Sequence, residues 1–430
     1  MTRGQSAVSR RDFARLLALG GAAPFFLPGT AWPRSAPPPA PLSPAGRDER
    51  YWQAVREQFV MPLAMVAVNA ANLCPSPAPV LEVLFESTKS VDRDPSANNR
   101  EKTHDGREET RRLLASALRV TPEEILITRN TSESNNFVSS GLDLRAGDEV
   151  LLHAENHPSN LAAWREKAKR FGFTVTVVDA KSPHPGPEYW VDTFGKAITP
   201  KTKILSFTHV TGSVGDLFPA AELCALARSR GVLSLVDGAQ SFGILDIDLS
   251  AMRPDFYSGS AHKWPCGPKE TGVLFVNKDV QARLAPTLVS LYAGSVGISK
   301  THEGFGQRDE PAIMGFGEAL KFQENIGRAA VEARARELSQ FLMAELEKLD
   351  GVTLWTDPRP ERSAAIVSFK PGSLDVRKLS LALYQNDQIV CSTRPGTDRG
   401  GLRFSPHFYN THQEIERAVA AVRKYIAAGV

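Results

Sequence analysis

The chain has 430 residues, of which 42% are hydrophobic, 23% charged and 8% aromatic. This composition is that of an ordinary globular protein, and it excludes a disordered, collagen-like or coiled-coil chain. The net charge is +3, but residues 1–36 carry five arginines against one aspartate, so the remainder has a net charge of −1. A near-neutral body without a basic stripe argues against nucleic acid as a partner.

The N-terminal segment has the pattern of an export signal. Residues 9–13 read Ser-Arg-Arg-Asp-Phe. They are followed by a short apolar stretch, which is interrupted by glycines and by Pro24. We therefore predict a twin-arginine signal peptide over residues 1–36, read by the twin-arginine export machinery, and a periplasmic or extracellular location. The apolar stretch is shorter than the ~20 residues that span a bilayer, so we expect no stable membrane anchor, although a retained amphipathic anchor is the alternative. Residues 37–46, rich in proline and alanine, form a linker.

From residue 47 onward, short apolar runs alternate with helical patterns. In chain order, the predicted elements are a helix capped by Asp105, a strand at 125–128, a strand near 150–152, a helix near 159–171, strands at 173–178 and 203–207, a helix near 219–230, strands at 232–236 and 272–276, one long helix over 317–349, a strand at 363–369, a helix at 375–386, strands near 388–393 and 401–404, and a closing helix from His412. This alternation predicts an α/β fold with a mostly parallel sheet and helices on both faces. We expect a large domain at 90–310, and a smaller α+β domain built from residues 47–89 and 311–430.

The four cysteines, at positions 74, 224, 266 and 391, are widely spaced and form no C-x-x-C motif. This spacing predicts neither a zinc ribbon nor a disulfide framework. We therefore expect no metal site.

Two charged residues stand out in the large domain. Asp237 directly follows a predicted buried strand, and Lys263 comes 26 positions later between small residues and a Gly-Pro pair. Ligands in open α/β sheets bind at the carboxyl ends of the strands. Pyridoxal phosphate needs a lysine for its Schiff base, an acid opposite its ring nitrogen and a phosphate cradle at a helix N-terminus. The helix that opens at Asn130-Thr131 could supply that cradle.

Each of these features has an ordinary alternative. An aspartate after a strand is more often a turn residue, a lone lysine more often extends to the surface, and Thr131 could simply cap its helix. The ordered set within one α/β domain is what favours a pyridoxal-phosphate site.

Five motifs together resemble those of pyridoxal-phosphate enzymes of the class V aminotransferase family, which includes isopenicillin N epimerase and cysteine desulfurases. The motifs are Thr128–Glu133, Asn156–Asn160, Val236–Ser241, Ser260–Lys263 and Arg403–Thr411. The resemblance spans roughly residues 65–425. It implies the type I aminotransferase fold, pyridoxal 5'-phosphate as cofactor, a small-molecule amino-acid substrate and a homodimer.

The resemblance also implies a role for each matching residue at the cofactor. Lys263 would bind the cofactor covalently and later move a proton, while Asp237 would face the ring nitrogen. Gln240 would donate a hydrogen bond to the ring 3'-oxygen, and the His157 imidazole would stack on the ring, although His157 could also be a turn residue. The positions that match the phosphate-binding residues are Thr131, Ser132, Ser260 and His262.

The substrate side of the pocket is implied in the same way. Arg403 matches the arginine that binds the substrate α-carboxylate, a task that suits a planar bidentate donor; the alternative is a surface ion pair. Asn69 and Arg394 are candidate substrate-binding residues of the pocket wall. Where many relatives carry Gly-Thr and contact the neighbouring subunit's phosphate, this chain has Gln307, with Arg308 as the alternative.

Two departures from the family bear on the reaction. Cysteine desulfurases carry a nucleophilic cysteine on the loop before the carboxylate-binding arginine, but here the segment is short and Cys391 lies at its start, where it is better placed for packing. Gly212 stands where relatives often have asparagine. We therefore expect an epimerase- or transaminase-like enzyme. The alternatives are a C–S lyase that needs no cysteine nucleophile and a non-catalytic binding protein that kept the fold.

Overall fold

The computed structural model describes residues 47–394 and 399–430; the predicted signal peptide and linker lie outside these residues. The strands, in chain order, are β1 (Val66–Ala67), β2 (Ile125–Thr128), β3 (Glu149–His153), β4 (Thr174–Val178), β5 (Thr202–Thr208), β6 (Leu233–Asp237), β7 (Phe256–Ser260), β8 (Gly272–Val276), β9 (Val352–Leu354), β10 (Val367–Pro371), β11 (Ile389–Val390), β12 (Ser392–Arg394) and β13 (Gly401–Phe404).

The helices, in chain order, are α1 (Glu49–Arg56), α2 (Ala78–Arg93), α3 (Ala97–Leu118), α4 (Thr131–Gly141), α5 (Pro158–Phe171), α6 (Pro187–Ala197), α7 (Ala220–Ser229), α8 (Leu249–Met252), α9 (Ser299–His302), α10 (Glu310–Ile326), α11 (Arg328–Leu346), α12 (Val376–Asp387) and α13 (His412–Ala428). Two short 3-10 helices lie at Pro122–Glu124 and Lys278–Arg283. No helix in the described part of the chain combines the length and apolar character that a membrane span requires.

A seven-stranded sheet with the order β2-β8-β7-β6-β5-β3-β4 lies at the centre of the larger part of the molecule. Strand β8 pairs antiparallel with both of its neighbours, and the other neighbouring strands pair parallel. Strands β2, β6, β7 and β8 are fully buried, because successive side chains point to opposite faces and helices cover both faces, whereas the edge strand β4 is only partly buried. The predicted mostly parallel α/β fold is therefore confirmed.

The two faces of the sheet are visible in its alternating side chains. Ile125 and Ile127 pack into one apolar cluster with Leu114 of α3 and Phe194 of α6. The intervening Leu126 packs into another cluster, and members of that second cluster are contributed by α4 and α5. Successive side chains of β2 thus alternate between the two faces of the sheet, and both faces are apolar. A strand that is covered by helices on both sides requires this pattern.

The remaining strands form two smaller sheets. An antiparallel four-stranded sheet has the order β12-β13-β10-β9, and β1 pairs parallel with β11. Helices α11, α12 and α13 pack with these strands into one apolar cluster. Through β1, the N-terminal segment is thus joined to the C-terminal part of the chain. The domain boundaries proposed from the sequence remain predictions.

Three local expectations were wrong. The helix that was expected to start at Asp105 begins at Ala97, where the Ser96 hydroxyl accepts the Asn99 N–H at 3.3 Å. The single helix expected over 317–349 is two helices, because Gly327 between them has φ +90°, a conformation that suits glycine. Strand β7 was not expected, because the serines and glycine of its Phe-Tyr-Ser-Gly-Ser sequence lower its β-propensity.

Candidate active site

Lys263 and Asp237 are brought together by two neighbouring parallel strands. Strands β6 and β7 pair so that Asp237 lies opposite Ser258, and Lys263 follows the end of β7 by three residues. Asp237 is buried and Lys263 is half-buried. Burial lowers the pKa of Lys263, Arg394 lowers it further, and the Asp237 charge opposes both. The two groups therefore lie close enough to interact electrostatically at the carboxyl edge of the sheet.

The Asp237 carboxylate is held at both oxygens. Its Oδ2 accepts a hydrogen bond from Asn135 Nδ2 at 2.9 Å, and its Oδ1 accepts the Ala239 N–H at 3.1 Å. Asn135 is itself oriented, because its Oδ1 accepts from Ser258 Oγ at 2.8 Å. Donors of this kind stabilise a buried carboxylate in its charged form. The sequence analysis did not identify Asn135. Nothing in the sequence of α4 indicates which of its asparagines faces the end of a strand.

The first residues of α4 lie beside the end of β7. The Thr131 and Ser260 hydroxyls are 2.8 Å apart, and the Thr131 N–H also donates to Ser260 Oγ at 2.8 Å. Ser132 follows with an exposed side chain. A helix N-terminus with two converging hydroxyls provides the donors and the dipole that a phosphate needs.

The backbone around this helix start leaves no room for a side chain on β8. A Cβ on Gly272 would lie 2.7 Å from the Gly259 carbonyl oxygen and 2.8 Å from Asn130 Cα. Glycine is therefore required where β8 passes the beginning of α4. His262, on the lysine-bearing loop, is half-buried, and burial followed by the nearby Lys263 lowers its pKa to about 4. Its imidazole is neutral near pH 7.

His157 is the N-cap residue of α5, where its Nδ1 accepts the Ser159 N–H at 3.2 Å. Its side chain is open to solvent, yet the charges of Lys263 and Asp237 both act on it. Desolvation on its inner side and the Lys263 charge lower the pKa of His157, and Asp237 opposes them. A neutral imidazole at the mouth of the pocket is compatible with the predicted stacking on a flat ring.

Gln240 is buried beside the lysine-bearing loop. Its Nε2 donates to the Ala71 carbonyl oxygen at 2.9 Å, and its Oε1 accepts from Trp264 Nε1 at 2.8 Å. A primary amide has two N–H donors, so one proton of Gln240 Nε2 is left for a ligand oxygen. Its contact with the ring 3'-oxygen stays a prediction.

Arg403 and Arg394 converge on one backbone carbonyl. Arg403 Nη1 and Arg394 Nη2 donate to the Gly212 oxygen at 2.6 and 2.8 Å. Asn69 lies next to them, because its Oδ1 accepts from Ser392 Oγ at 2.6 Å and Ser392 Oγ in turn accepts from Arg403 at 3.4 Å. The three predicted substrate-binding residues are thus grouped around the Gly212 carbonyl oxygen and the Ser392 hydroxyl.

Neither of these arginines has a carboxylate partner within 4 Å among the described residues, and the Nε of each is buried without a hydrogen bond. The nearby acids are engaged by a different arginine: Arg399 donates to Glu155 at 2.8 Å and to Asp216 at 3.1 Å. Burial lowers the pKa of Arg394, although Glu155 opposes this. Buried guanidinium groups without a counter-ion form a receptor for an anion.

Gln307 and Arg308 differ in what they can reach. Gln307 is exposed, and its Oε1 accepts from Arg100 at 3.2 Å. Arg308 is engaged inside the chain, where it donates to Glu303 at 3.2 Å and to the Ile127 carbonyl at 2.7 Å. Of the two, Gln307 is the residue that stays available to a neighbouring subunit.

Cys391 lies between β11 and β12 and packs against the apolar cluster of the smaller sheets. Its nearest polar neighbour is the Ser380 hydroxyl at 3.6 Å. Burial raises the pKa of the Cys391 thiol to about 11. A thiol of this kind is protonated near pH 7 and is a poor nucleophile.

The residues present fit pyridoxal phosphate. The pocket combines a half-buried lysine with a lowered pKa, a doubly hydrogen-bonded carboxylate and a helix N-terminus flanked by hydroxyls. Lys263 would hold the cofactor covalently, Asp237 would face its ring nitrogen, and Thr131 and Ser260 would hold its phosphate.

Comparison with known proteins identifies the family of the chain. The family model for aminotransferase class V matches residues 76–418. Isopenicillin N epimerase of Amycolatopsis lactamdurans is 31% identical over 391 residues, which cover 87% of this chain and 98% of that protein. A probable cysteine desulfurase of Methanothermobacter thermautotrophicus is 27% identical and covers 82% of this chain and 92% of that protein.

Two solved structures with the same fold are similar to this chain, and one of them contains pyridoxal phosphate. A lysine-to-alanine mutant of C-DES, with glycine covalently linked to pyridoxal phosphate, has a TM-score of 0.79 and 25% identity, covering 86% of this chain and 98% of that chain. The complex of the cystine C–S lyase C-DES with its reaction product cysteine persulfide has a TM-score of 0.77 and 25% identity. The match covers 84% of this chain and 97% of that chain. Fold and site thus define a pyridoxal-phosphate-dependent enzyme. The chain belongs to the class V aminotransferase family.

Asn135 provides a direct test of how Asp237 is held. In the Asn135→Ala variant, the buried carboxylate loses one donor, which costs about 1.5–3 kcal/mol for a hydrogen bond to a charged group. We expect cofactor affinity to fall roughly 10- to 100-fold, measured by titrating the apoenzyme with pyridoxal phosphate and following absorbance. Asn386→Ala is the matched control, since it removes only a contact with Tyr425. Equal affinities in wild type and Asn135→Ala would contradict the assigned role.

Proposed function

We propose that this enzyme acts on an amino acid whose carboxylate binds Arg403 and Arg394, in an epimerase- or transaminase-like reaction. The observation that carries the proposal is the pair of guanidinium groups that meet at the Gly212 oxygen without a carboxylate partner in the described chain. Bidentate binding of a carboxylate would replace the carbonyl as their acceptor. Because Arg394 also lowers the pKa of Lys263, the bound carboxylate would lie close to the reacting amine.

The residues of the site suggest how the chain contributes to catalysis. Pyridoxal phosphate, when bound, supplies an electron sink for negative charge at the substrate α-carbon. Asp237, held by Asn135, would keep the ring nitrogen protonated, and Arg403 would fix the substrate orientation. Lys263 Nζ would accept the α-proton of the substrate. Its lowered pKa keeps a larger neutral fraction, which is the form that can act as a base.

The lack of a reactive cysteine on the segment before Arg403 separates this proposal from persulfide chemistry. Cys391 has a raised pKa and is packed in an apolar cluster. The segment between Arg394 and Arg399 reads Pro-Gly-Thr-Asp and contains no cysteine. A desulfurase of the kind that uses a loop cysteine needs a thiolate next to the substrate, so we favour reactions that begin and end with proton transfer.

The test is cofactor spectroscopy of the purified holoenzyme with a panel of D- and L-amino acids in deuterium oxide. We expect at least one amino acid to shift the cofactor absorbance. Exchange of the α-hydrogen with loss of chirality would identify an epimerase, and formation of a keto acid would identify a transaminase. Both products are measured by chiral chromatography and mass spectrometry.

A variant makes this test specific to the carboxylate. Arg403→Gln should retain bound cofactor but lose the response to amino acids, while a primary amine without a carboxylate should act equally on both proteins. Arg112→Gln, which removes an exposed arginine paired with Glu109, is the control. Bound cofactor with no response to any amino acid would contradict the proposal and favour a non-catalytic binding protein.

A second candidate is a C–S lyase that needs no cysteine nucleophile. The fold similarity to the cystine C–S lyase C-DES favours it, and the same carboxylate receptor would serve a thiol amino acid. In the panel described above, release of pyruvate and sulfide from cysteine or cystine would support the lyase. α-Hydrogen exchange without release of sulfur would support the first proposal.

We further propose a homodimer. The segment 288–292 leaves apolar side chains on the surface, among them Val289, which is 83% exposed, and Leu291, which is fully exposed. An exposed apolar patch marks an association surface. Sedimentation should give a dimer for the wild type and a monomer for Leu291→Glu. Leu63→Glu, which changes another exposed leucine, should remain a dimer; a monomeric wild type would contradict the proposal.

Export is proposed from the sequence motif at Arg10-Arg11. Replacing both arginines by lysine conserves the charge but removes the pattern read by the twin-arginine machinery. We expect the wild-type protein in the periplasmic fraction or the medium, and the double variant in the cytoplasm. Wild-type protein found only in the cytoplasm would contradict export.

A further inference from the structure

A second cluster of chemically reactive side chains lies outside the cofactor pocket. The two Sγ atoms of Cys74 and Cys266 and a ring nitrogen of His407 all lie within 4.8 Å of one another. All three side chains are buried. None of them has a role in the reaction proposed above, so the cluster needs a separate explanation.

The imidazole of His407 has one ring nitrogen without a hydrogen-bond partner among the described residues. Its Nε2 donates to the Trp264 carbonyl oxygen at 2.7 Å, which leaves Nδ1 as the unprotonated nitrogen. Nδ1 is buried without any hydrogen-bond partner in the structure. Metal-binding histidines usually donate their other ring N–H to a carbonyl or carboxylate, which fixes the ring and its tautomer. An unpaired lone pair in a dry site is costly unless something binds it.

The two thiols complete the set. Cys266 adopts a left-handed backbone conformation with φ +58°, which is uncommon for a residue other than glycine. Its Sγ makes one long hydrogen bond, to the Trp264 carbonyl oxygen at 3.6 Å, and Cys74 Sγ makes another, to the Ala70 carbonyl oxygen at 3.9 Å; a metal-bound thiolate would give these contacts up. Cys74 Sγ lies 3.9 Å from the Tyr409 hydroxyl, which can donate to it when it is a thiolate.

From these observations we infer that Cys74, Cys266 and His407 bind a zinc ion. Tetrahedral zinc with bonds of about 2.3 Å to sulfur and 2.0–2.1 Å to nitrogen places its ligand atoms roughly 3.5–3.8 Å apart. The cluster needs only a small contraction to reach this geometry. The Tyr409 hydroxyl, at 3.9 Å from Cys74 Sγ, would support the site by donating a hydrogen bond to that sulfur.

The charge of the site favours a divalent soft-to-borderline ion. No carboxylate belongs to the cluster, so two thiolates and a neutral imidazole give a ligand charge of −2, which Zn²⁺ cancels. A neutral centre is what a buried site tolerates, because isolated charge is expensive to bury. Thiolate and imidazole ligands suit zinc, whereas calcium and magnesium require oxygen ligands.

The proposed zinc ion would connect the segments that carry the catalytic residues. Cys266 follows Lys263 by three residues, and His407 follows Arg403 by four. Cys74 belongs to the N-terminal segment, and its N–H donates to the His262 carbonyl at 2.8 Å. One ion would thus fix the lysine-bearing loop relative to the carboxylate-binding strand β13. This is a structural role rather than a catalytic one.

The other group of possible ligands does not support a similar inference. Glu49, Glu337 and His412 also lie close together, but they are not buried. Arg334 already pairs with both glutamates, at 2.5 and 3.3 Å. Their proximity is explained by that ion pair.

The test is the metal content of the full-chain holoenzyme, purified without chelators and measured by elemental analysis. We expect about one zinc ion per chain in the wild type, and at least about tenfold less in Cys74→Ser and Cys266→Ser. Cys391→Ser, a cysteine change outside the cluster, is the matched control and should keep its zinc. Circular dichroism and cofactor absorbance show whether each variant is folded.

The wild-type protein alone can also decide the question if a variant fails to fold. X-ray absorption should show two sulfur neighbours near 2.3 Å and nitrogen or oxygen neighbours near 2.0–2.1 Å. Counting the free thiols in denaturant distinguishes two results, each of which would contradict the zinc site. Metal-free protein with all four cysteines titratable would overturn the inference, as would metal-free protein in which reductant releases a Cys74–Cys266 disulfide. None of these readouts depends on substrate, so the proposed function is tested separately.

Discussion

The pairing of strands β6 and β7 is the constraint on which the active site depends. Both strands end at the same edge of the sheet, and their register puts Asp237 opposite Ser258. The loop after β7 therefore begins beside the carboxylate and returns Lys263 to it. The opposite charges lie close enough there to interact, and burial lowers the pKa of the lysine. Without this adjacency, Asp237 and Lys263 would be two unrelated side chains that stand 26 positions apart in the sequence.

The charged side chains around the active site fall into two groups: carboxylates that have hydrogen-bond or ion-pair partners, and guanidinium groups that lack a carboxylate partner in the described part of the chain. Glu155 and Asp216 are bound by Arg399, and Asp237 is bound by an amide and a backbone N–H. Arg394 and Arg403 have a carbonyl oxygen as their shared acceptor. The nearby carboxylates are thus engaged by other groups, whereas two guanidinium groups remain open to an anion. This imbalance is the basis on which we propose a ligand with a carboxylate.

Local patterns predicted most of the fold. The Ile-Leu-Ile-Thr run and Gly272–Val276 form the predicted strands because β-branched and apolar residues dominate them. Strand β7 was missed, since its burial between two other strands overrides the weak propensity of serine and glycine. The motifs found Lys263, Asp237 and Arg403, but Asn135 acts through a contact that exists only after folding. Cys74, Cys266 and His407 are far apart in sequence, so no spacing rule predicts their cluster.

The central claim is that Lys263 is the residue that binds the cofactor, and borohydride reduction of the holoenzyme tests it most directly. Reduction makes the bond between lysine and cofactor permanent, and peptide mapping by mass spectrometry then locates it. We predict that the peptide containing Lys263 carries the cofactor and that no other lysine-containing peptide does. Cofactor attached to a different lysine, or reduced protein without attached cofactor, would contradict the account.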